Sequence, residues 1–258
     1  MFRINTFSGN RFYLLMRHAL RLHQTRLLVV AATVGLLVLL LLSLSALGHT
    51  SDRLHQRLFP LMLFSTGLIL TGQAFRELRD PQSAMAWMLL PAGTFEKWVS
   101  RLFLTGLGYA VAFTIAWCLI TALAEIINRS LFSFAIPWFS PFQPRVILSI
   151  GLYTVLQSLF FVGAVYFRRL AFIKTILFLM LLGLALFVFG LVGFKAVLGG
   201  DFVALAAKGA IHPGRDWALL WNDDVRTTLL WIWRIAFWGL LAPCCWVISY
   251  LRLKEFEV

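Results

Sequence analysis

Acidic residues are scarce in this chain of 258 residues, with eleven Asp and Glu against 23 Lys and Arg, and all four types make up only 13% of it. A soluble domain draws about a quarter of its residues from these types to cover its surface. That shortage, with 60% hydrophobic residues and a mean hydropathy of +0.85, excludes a water-soluble fold and points to an integral membrane protein. The dipeptide Gly-Lys occurs nowhere, which excludes a P-loop, since that motif needs its lysine beside the phosphate-cradling glycine. Cysteine is limited to Cys118, Cys244 and Cys245, inside apolar segments and without CxxC or metal-ligand spacing, so they read as small buried hydrophobes. The histidines His18, His23, His49, His55 and His212 form no HExxH or HxxxH pair, and a metal site is not expected. No internal repeat is visible, and no segment alternates with the period of two that marks a membrane β-strand.

What is present is a series of uncharged runs near the ~20 residues that cross ~30 Å of hydrocarbon as a helix. Six spans are expected, at about 27–47, 58–75, 102–124, 146–167, 175–198 and 229–250. The class is therefore all-α, a polytopic membrane protein forming one transmembrane domain over 1–258. Lys and Arg in the connections divide unequally, about fourteen in the N-terminus, the segment 76–101, the Arg168/Arg169/Lys174 loop and the Arg252/Lys254 tail against about seven opposite. The richer side is expected to be cytoplasmic, with both termini there. The net charge of +12 is spread over span ends, where headgroups meet it, so nucleic acid is not an expected partner.

Residues 1–26 carry Arg3, Arg11, Arg17, Arg21 and Arg26 without an acid, and Phe12, Leu15, Ala19 and Leu22 recur at helical spacing. An amphipathic helix lying in the interface is expected there. The apolar run Leu27 to Leu47 exceeds the roughly 7 to 15 residues of a signal-peptide core. On the opposite side, IPWFSPFQPR (136–145) has three prolines, which interrupt a helix, and aromatics suited to the headgroup layer. The 199–228 connection, holding Asp201, Asp216, Asp223, Asp224, Trp217 and Trp221, is expected as an external loop.

Ionisable residues within spans are few. Glu125 and Lys195 lie near span ends, where they reach water, and Arg234 lies about one turn into the last span. Ser65, Thr66, Gln73, Gln157 and Arg234 are the polar groups that a pathway could use as lining. The Asn128-Arg129-Ser130 sequon is a common chance match.

The segment 76–101 is neither a plain polar loop nor a span. Asp80 followed by Pro81 is a helix start, because the carboxylate caps free amides and proline at the first position forfeits no hydrogen bond. A short helix from about Pro81 to Leu90 is expected, carrying Met85, Trp87, Met88 and Leu89. Pro91 and Gly93 break it, and Thr94 is expected to cap a second helix that carries Glu96, Lys97 and Arg101 at the water boundary. Two short helices hinged at Pro91-Ala92-Gly93 make a cytoplasmic knob.

Leu89-Leu90-Pro91-Ala92, followed by Lys97 and Arg101 at the start of the next span, resembles the first cytoplasmic loop of ABC-2 type transporter permeases. The basic N-terminus is similar to that family's interfacial connecting helix, and six spans with both ends inside match its membrane domain. About twenty residues carry the motif, whereas the topology covers the whole chain; re-entrant helices between spans five and six are not recognisable. The resemblance implies a non-enzymatic permease of an exporter in the bacterial cytoplasmic (inner) membrane. It also implies a second permease copy or paralogue and a separate ATPase subunit, where ATP and Mg would reside. The ATPase-coupling residues would be Asp80, Pro81, Trp87, Pro91, Glu96, Lys97 and Arg101. A secondary carrier or channel, or a noncatalytic scaffold of an envelope complex, are the alternatives; a carrier would call for charged midplane residues in interrupted spans.

Overall fold

A computed structural model of the chain describes residues 9–47, 54–79, 81–90, 92–132, 139–167, 170–207, 231 and 234–257, among which every regular element is helical. In order these are α1 (Gly9–Leu47), α2 (Leu54–Gly72), a 3₁₀ turn (Arg76–Arg79), α3 (Pro81–Met88), α4 (Thr94–Thr105), α5 (Leu107–Phe132), α6 (Pro144–Tyr166), α7 (Ala171–Ala207) and α8 (Leu241–Glu257). Five helical stretches are long and apolar enough to cross a membrane: Arg57–Leu78, Thr94–Ser130, Pro144–Tyr166, Ala171–Val192 and Ala236–Phe256. The protein is thus an all-α, multi-pass membrane protein.

Helix boundaries depart from the expected ones where packing overrides hydropathy. The expected interfacial helix 1–26 and first span 27–47 are not separate elements: from Gly9 onward they are one helix of 39 residues. No Gly or Pro lies between Gly9 and Gly35 to break it. Within α1 the apolar stretch is Ala31–Ser43, shorter than a span, so the expected span at 27–47 is not among the five. Helix α7 likewise runs past the expected span end to Ala207, making 199–207 helical; 208–230, with Asp216, Asp223, Asp224, Trp217 and Trp221, lies outside the described residues.

The last helix runs past the expected span end at 250, to Glu257. A π-turn, Ala236–Leu240, precedes α8, and the Leu241 amide reaches back to the Ala236 carbonyl. Pro243 has no amide to donate to residue 239, and a wider turn accommodates the missing bond. Helix α8 then carries Leu253 into the interior at 1% exposure. Arg252, expected in a tail beyond the span, lies over the rings of Tyr166 and Phe256, at 5.2 and 5.3 Å, and pairs with Glu255.

Helix α6 is central, touching α2, α7 and α8. At one end of the bundle Val38 and Leu42 of α1, Phe59 and Leu63 of α2, Trp117 of α5 and Tyr153 of α6 form one core. At the other end Phe75, Trp98, Phe161, Val165 and Leu253 form a second. Lipid-facing surfaces stay apolar: nearly all of α7 from Leu181 to Val192 is exposed. Such a surface matches a bilayer and not water.

Close approach of α2 to α6 depends on Gly67. A Cβ there would stand 2.5 Å from Tyr153 Cε2 and 2.6 Å from Tyr109 Cε1. Tyr153 has no free room, since it is fully buried and donates its hydroxyl hydrogen to the Thr105 carbonyl. Gly67→Ala should therefore lower the unfolding free energy in detergent by about 1–3 kcal/mol, the usual cost of overpacking. Gly183→Ala on α7, where nothing lies within 4 Å, should not; equal melting of the two variants would contradict this packing.

Candidate functional site

The segment 76–101 folds as two helices against the end of the bundle. Helix α3 begins at Pro81, as the Asp-Pro start implies, and ends at Met88, two residues short of the expected end. The Leu89 amide still bonds the Met85 carbonyl at 3.0 Å, and the Leu90 amide reaches Trp87 at 3.4 Å. Asp80 and Pro91 lie outside the described residues, as does the side chain of Pro81. Thr94 is not the cap of the next helix but its first residue; Gly93 is the N-cap. Glu96, at the third position, reaches back to accept the Gly93 amide at 3.2 Å. That contact satisfies an amide that would otherwise be orphaned at the helix start.

Helix α4 is inverted relative to a soluble amphipathic helix. Glu96, Lys97 and Ser100 are buried at 3%, 2% and 3% exposure, while Phe95 and Phe103 are exposed. Lipid on the outside explains the arrangement, because apolar rings go to hydrocarbon and ionised groups need protein partners. Those partners come from three other elements. Arg11 of α1 approaches Glu96 at 3.8 Å. Arg101 donates to Glu77 of the 3₁₀ turn at 2.7 Å. The ring of Trp87, itself buried, covers both Arg101 Cζ at 5.0 Å and Lys97 Nζ at 5.7 Å. A face of tryptophan is the most favourable aromatic surface for a cation, worth up to about 2 kcal/mol when water is excluded.

The next residue along α4 fixes the knob to the last helix. Trp98 donates its indole N–H to Ser249 Oγ at 2.9 Å and lies 5.7 Å from the Tyr250 ring and 6.3 Å from Phe161. Helix α4 then runs into α5 through Gly106, whose amide bonds the Leu102 carbonyl at 2.8 Å. A Cβ at Gly106 would stand 2.8 Å from that oxygen, so the bend needs glycine. Outward, the knob presents Met85, Met88 and Leu89, the last 83% exposed.

Of the coupling residues named from sequence, Trp87, Glu96, Lys97 and Arg101 thus converge, but inside the knob. The sequence reading missed Glu77, Arg11 and Ser249. In a chain with eleven acids, each acid near a span end is a candidate ion-pair partner, which is the signal that could have found Glu77; nothing local marks Ser249.

The possible pathway residues are not gathered in one place. Thr66 and Gln73 line a cleft of about 360 Å³ between α1, α2 and α5, together with Arg101. Thr66 is bonded to Tyr109 and to the Met62 carbonyl. Gln157 is fully buried, donating Nε2 to Thr105 Oγ1 at 3.1 Å and so tying α6 to the α4–α5 bend. Ser65 is exposed and bonds the Met62 carbonyl within its own helix. Arg234 is exposed near Trp231, 5.9 Å from that ring. Glu125 is buried and pairs with Arg129 at 3.1 Å. Asn128, the sequon asparagine, is fully buried. Compared with family models, curated proteins and solved structures, the chain matches none.

Trp87→Ala should lower stability in detergent by about 3 kcal/mol, as large-to-small changes in packed interiors do. Trp87→Phe, which leaves a ring over the two cations, should cost about 1 kcal/mol. Equal losses in thermal unfolding would mean that the cation contacts contribute nothing.

Proposed function

We propose that this chain is the permease subunit of an ATP-driven exporter of the ABC-2 type, coupled to a separate ATPase through the segment 76–101. On this reading it has six spans in a bacterial cytoplasmic membrane, with both termini and the knob inside the cell and the 199–228 region outside. It pairs with a second copy or a paralogue, and ATP and Mg belong to the partner ATPase. The observation that carries the reading is a knob joined to the bundle by buried polar contacts while its tip exposes Met85, Met88 and Leu89. An apolar tip on a polar-packed base is an arrangement that suits a groove on a partner protein.

Four of the seven coupling residues read from the sequence act as a frame, and three exposed apolar residues join them. Trp87, Glu96, Lys97 and Arg101 form the frame, and Met85, Met88 and Leu89 form the docking tip. A pull on the tip then reaches three places at once: α1 through Arg11–Glu96, α8 through Trp98–Ser249, and α6 through the Thr105–Gln157 bond. Closure of two ATPases would rock these helices as a unit and alternate access to the pathway.

Affinity purification of tagged full-length chain from its native membranes tests this directly. An ATPase with a Walker A motif should co-purify with the wild type. Leu89→Asp should weaken that association by about 2 kcal/mol, roughly thirtyfold in affinity, at equal membrane abundance. No ATPase with the wild type would transfer support to the carrier or scaffold alternatives. Retention equal to wild type by Leu89→Asp would remove the tip from the coupling interface.

A further inference from the structure

We propose that the cleft between α1, α2 and α5 binds one anionic amphiphile from the bilayer, with its acyl chain along the helices and its phosphate at Arg76. The site does not depend on coupling to an ATPase. At about 360 Å³ the cleft falls within the ~300–1,000 Å³ of small-molecule sites. Its wall is apolar over most of its length, formed by Val34 and Val38 of α1, Ile69 and Leu70 of α2 and Phe113 and Ile120 of α5.

The charged lining residues, Arg76 and Arg101, are of one sign. Gln73, Arg76 and Arg101 close the cleft beside the knob. Arg101 is held by Glu77, whereas Arg76 has no carboxylate partner among the described residues. On α1, Leu20 lines the cleft, while Arg17 and Arg21 line a second groove with Arg11 and His18. Neither Arg17 nor Arg21 meets a carboxylate among the described residues. Midway along the cleft, Thr66 and Tyr109 bond each other, so they make no demand on a ligand.

An apolar trough ending in Arg76, a guanidinium without a carboxylate partner among the described residues, is complementary to a lipid with a negatively charged head. A zwitterionic head brings its own cation to the same arginines and gains less. Arginine adds a bidentate match to phosphate oxygens that a diffuse surface charge lacks.

Lipid retention measured by native mass spectrometry tests the site. Purified full-length chain is equilibrated with mixed micelles holding equal phosphatidylglycerol and phosphatidylcholine, then transferred to neutral detergent. The wild type should retain one phosphatidylglycerol in preference to phosphatidylcholine by about tenfold, the worth of one charge-assisted contact. Arg76→Gln should remove most of that preference. Ala116→Phe, on the exposed wall of α5 within the cleft, should lower retention of both lipids by filling the trough. Leu119→Phe, on the lipid-facing side of the same helix and outside the cleft wall, is the control for a general surface effect and should behave as wild type. Glycerol phosphate, a head without a chain, should not displace the bound lipid. Equal retention of the two lipids, wild-type behaviour of either cleft variant, an effect of Leu119→Phe as large as that of Ala116→Phe, or displacement by glycerol phosphate would each overturn the proposal.

Discussion

The inward turn of the charged face of α4 is the constraint from which the rest of the knob follows. Glu96 and Lys97 adjoin an outer surface that carries Phe95 and Phe103, so in a bilayer the charges have no water to retreat to on that side. An ionised side chain left unpaired in such surroundings costs several kcal/mol. The partners must therefore be supplied by protein, and each one recruits a different element. Arg11 brings α1 over the knob, Glu77 brings the 3₁₀ turn beneath Arg101, and Trp87 folds α3 back over both cations. The polar requirement of one helical face thus decides the position of three neighbours.

The same logic explains why the aromatic residues concentrate there. Trp98 offers a large apolar surface and one donor, and Ser249 on α8 accepts that donor while Tyr250 and Phe161 cover the ring. A buried indole without a partner for its N–H would forfeit part of its packing gain. Helices α4 and α8, separated by most of the chain, are keyed to each other at one register by that bond. Gly106 then bends the run so that α5 can pack against α1 while α4 packs against α8. A rigid base of this kind suits the proposed role of the segment as a lever.

Much of the fold was legible from hydropathy, because lipid imposes a length and a composition on the segments that cross it. The spans in α2, α5, α6 and α7 were placed this way. The Asp-Pro start of α3 and the break before α4 were equally legible, since capping and proline chemistry are local. Three features were not. The continuity of α1 was hidden by a change from basic to apolar composition that alters where the helix runs without interrupting it. The extension of α8 beyond residue 250 depends on Leu253 and Phe256 joining the cluster that holds Trp98 of α4 and Phe161 of α6. The placing of Trp87 inside the knob, with Met85, Met88 and Leu89 outside, depends on which face of a helix of eight residues meets Arg101. A helix so short contains too few turns for its periodicity to choose between faces.

The central claim is that the knob is a rigid part of the bundle and not a loop tethered to it. Hydrogen exchange of the intact protein, followed by mass spectrometry in detergent or nanodiscs, measures that property most directly. Amides of α4 from Trp98 to Thr105 should exchange as slowly as those of the α6 interior, and Ser249→Ala should accelerate them together with the amides of 246–253. Exchange of the α4 amides within the first seconds in the wild type, or a Ser249→Ala effect confined to α8, would contradict the account.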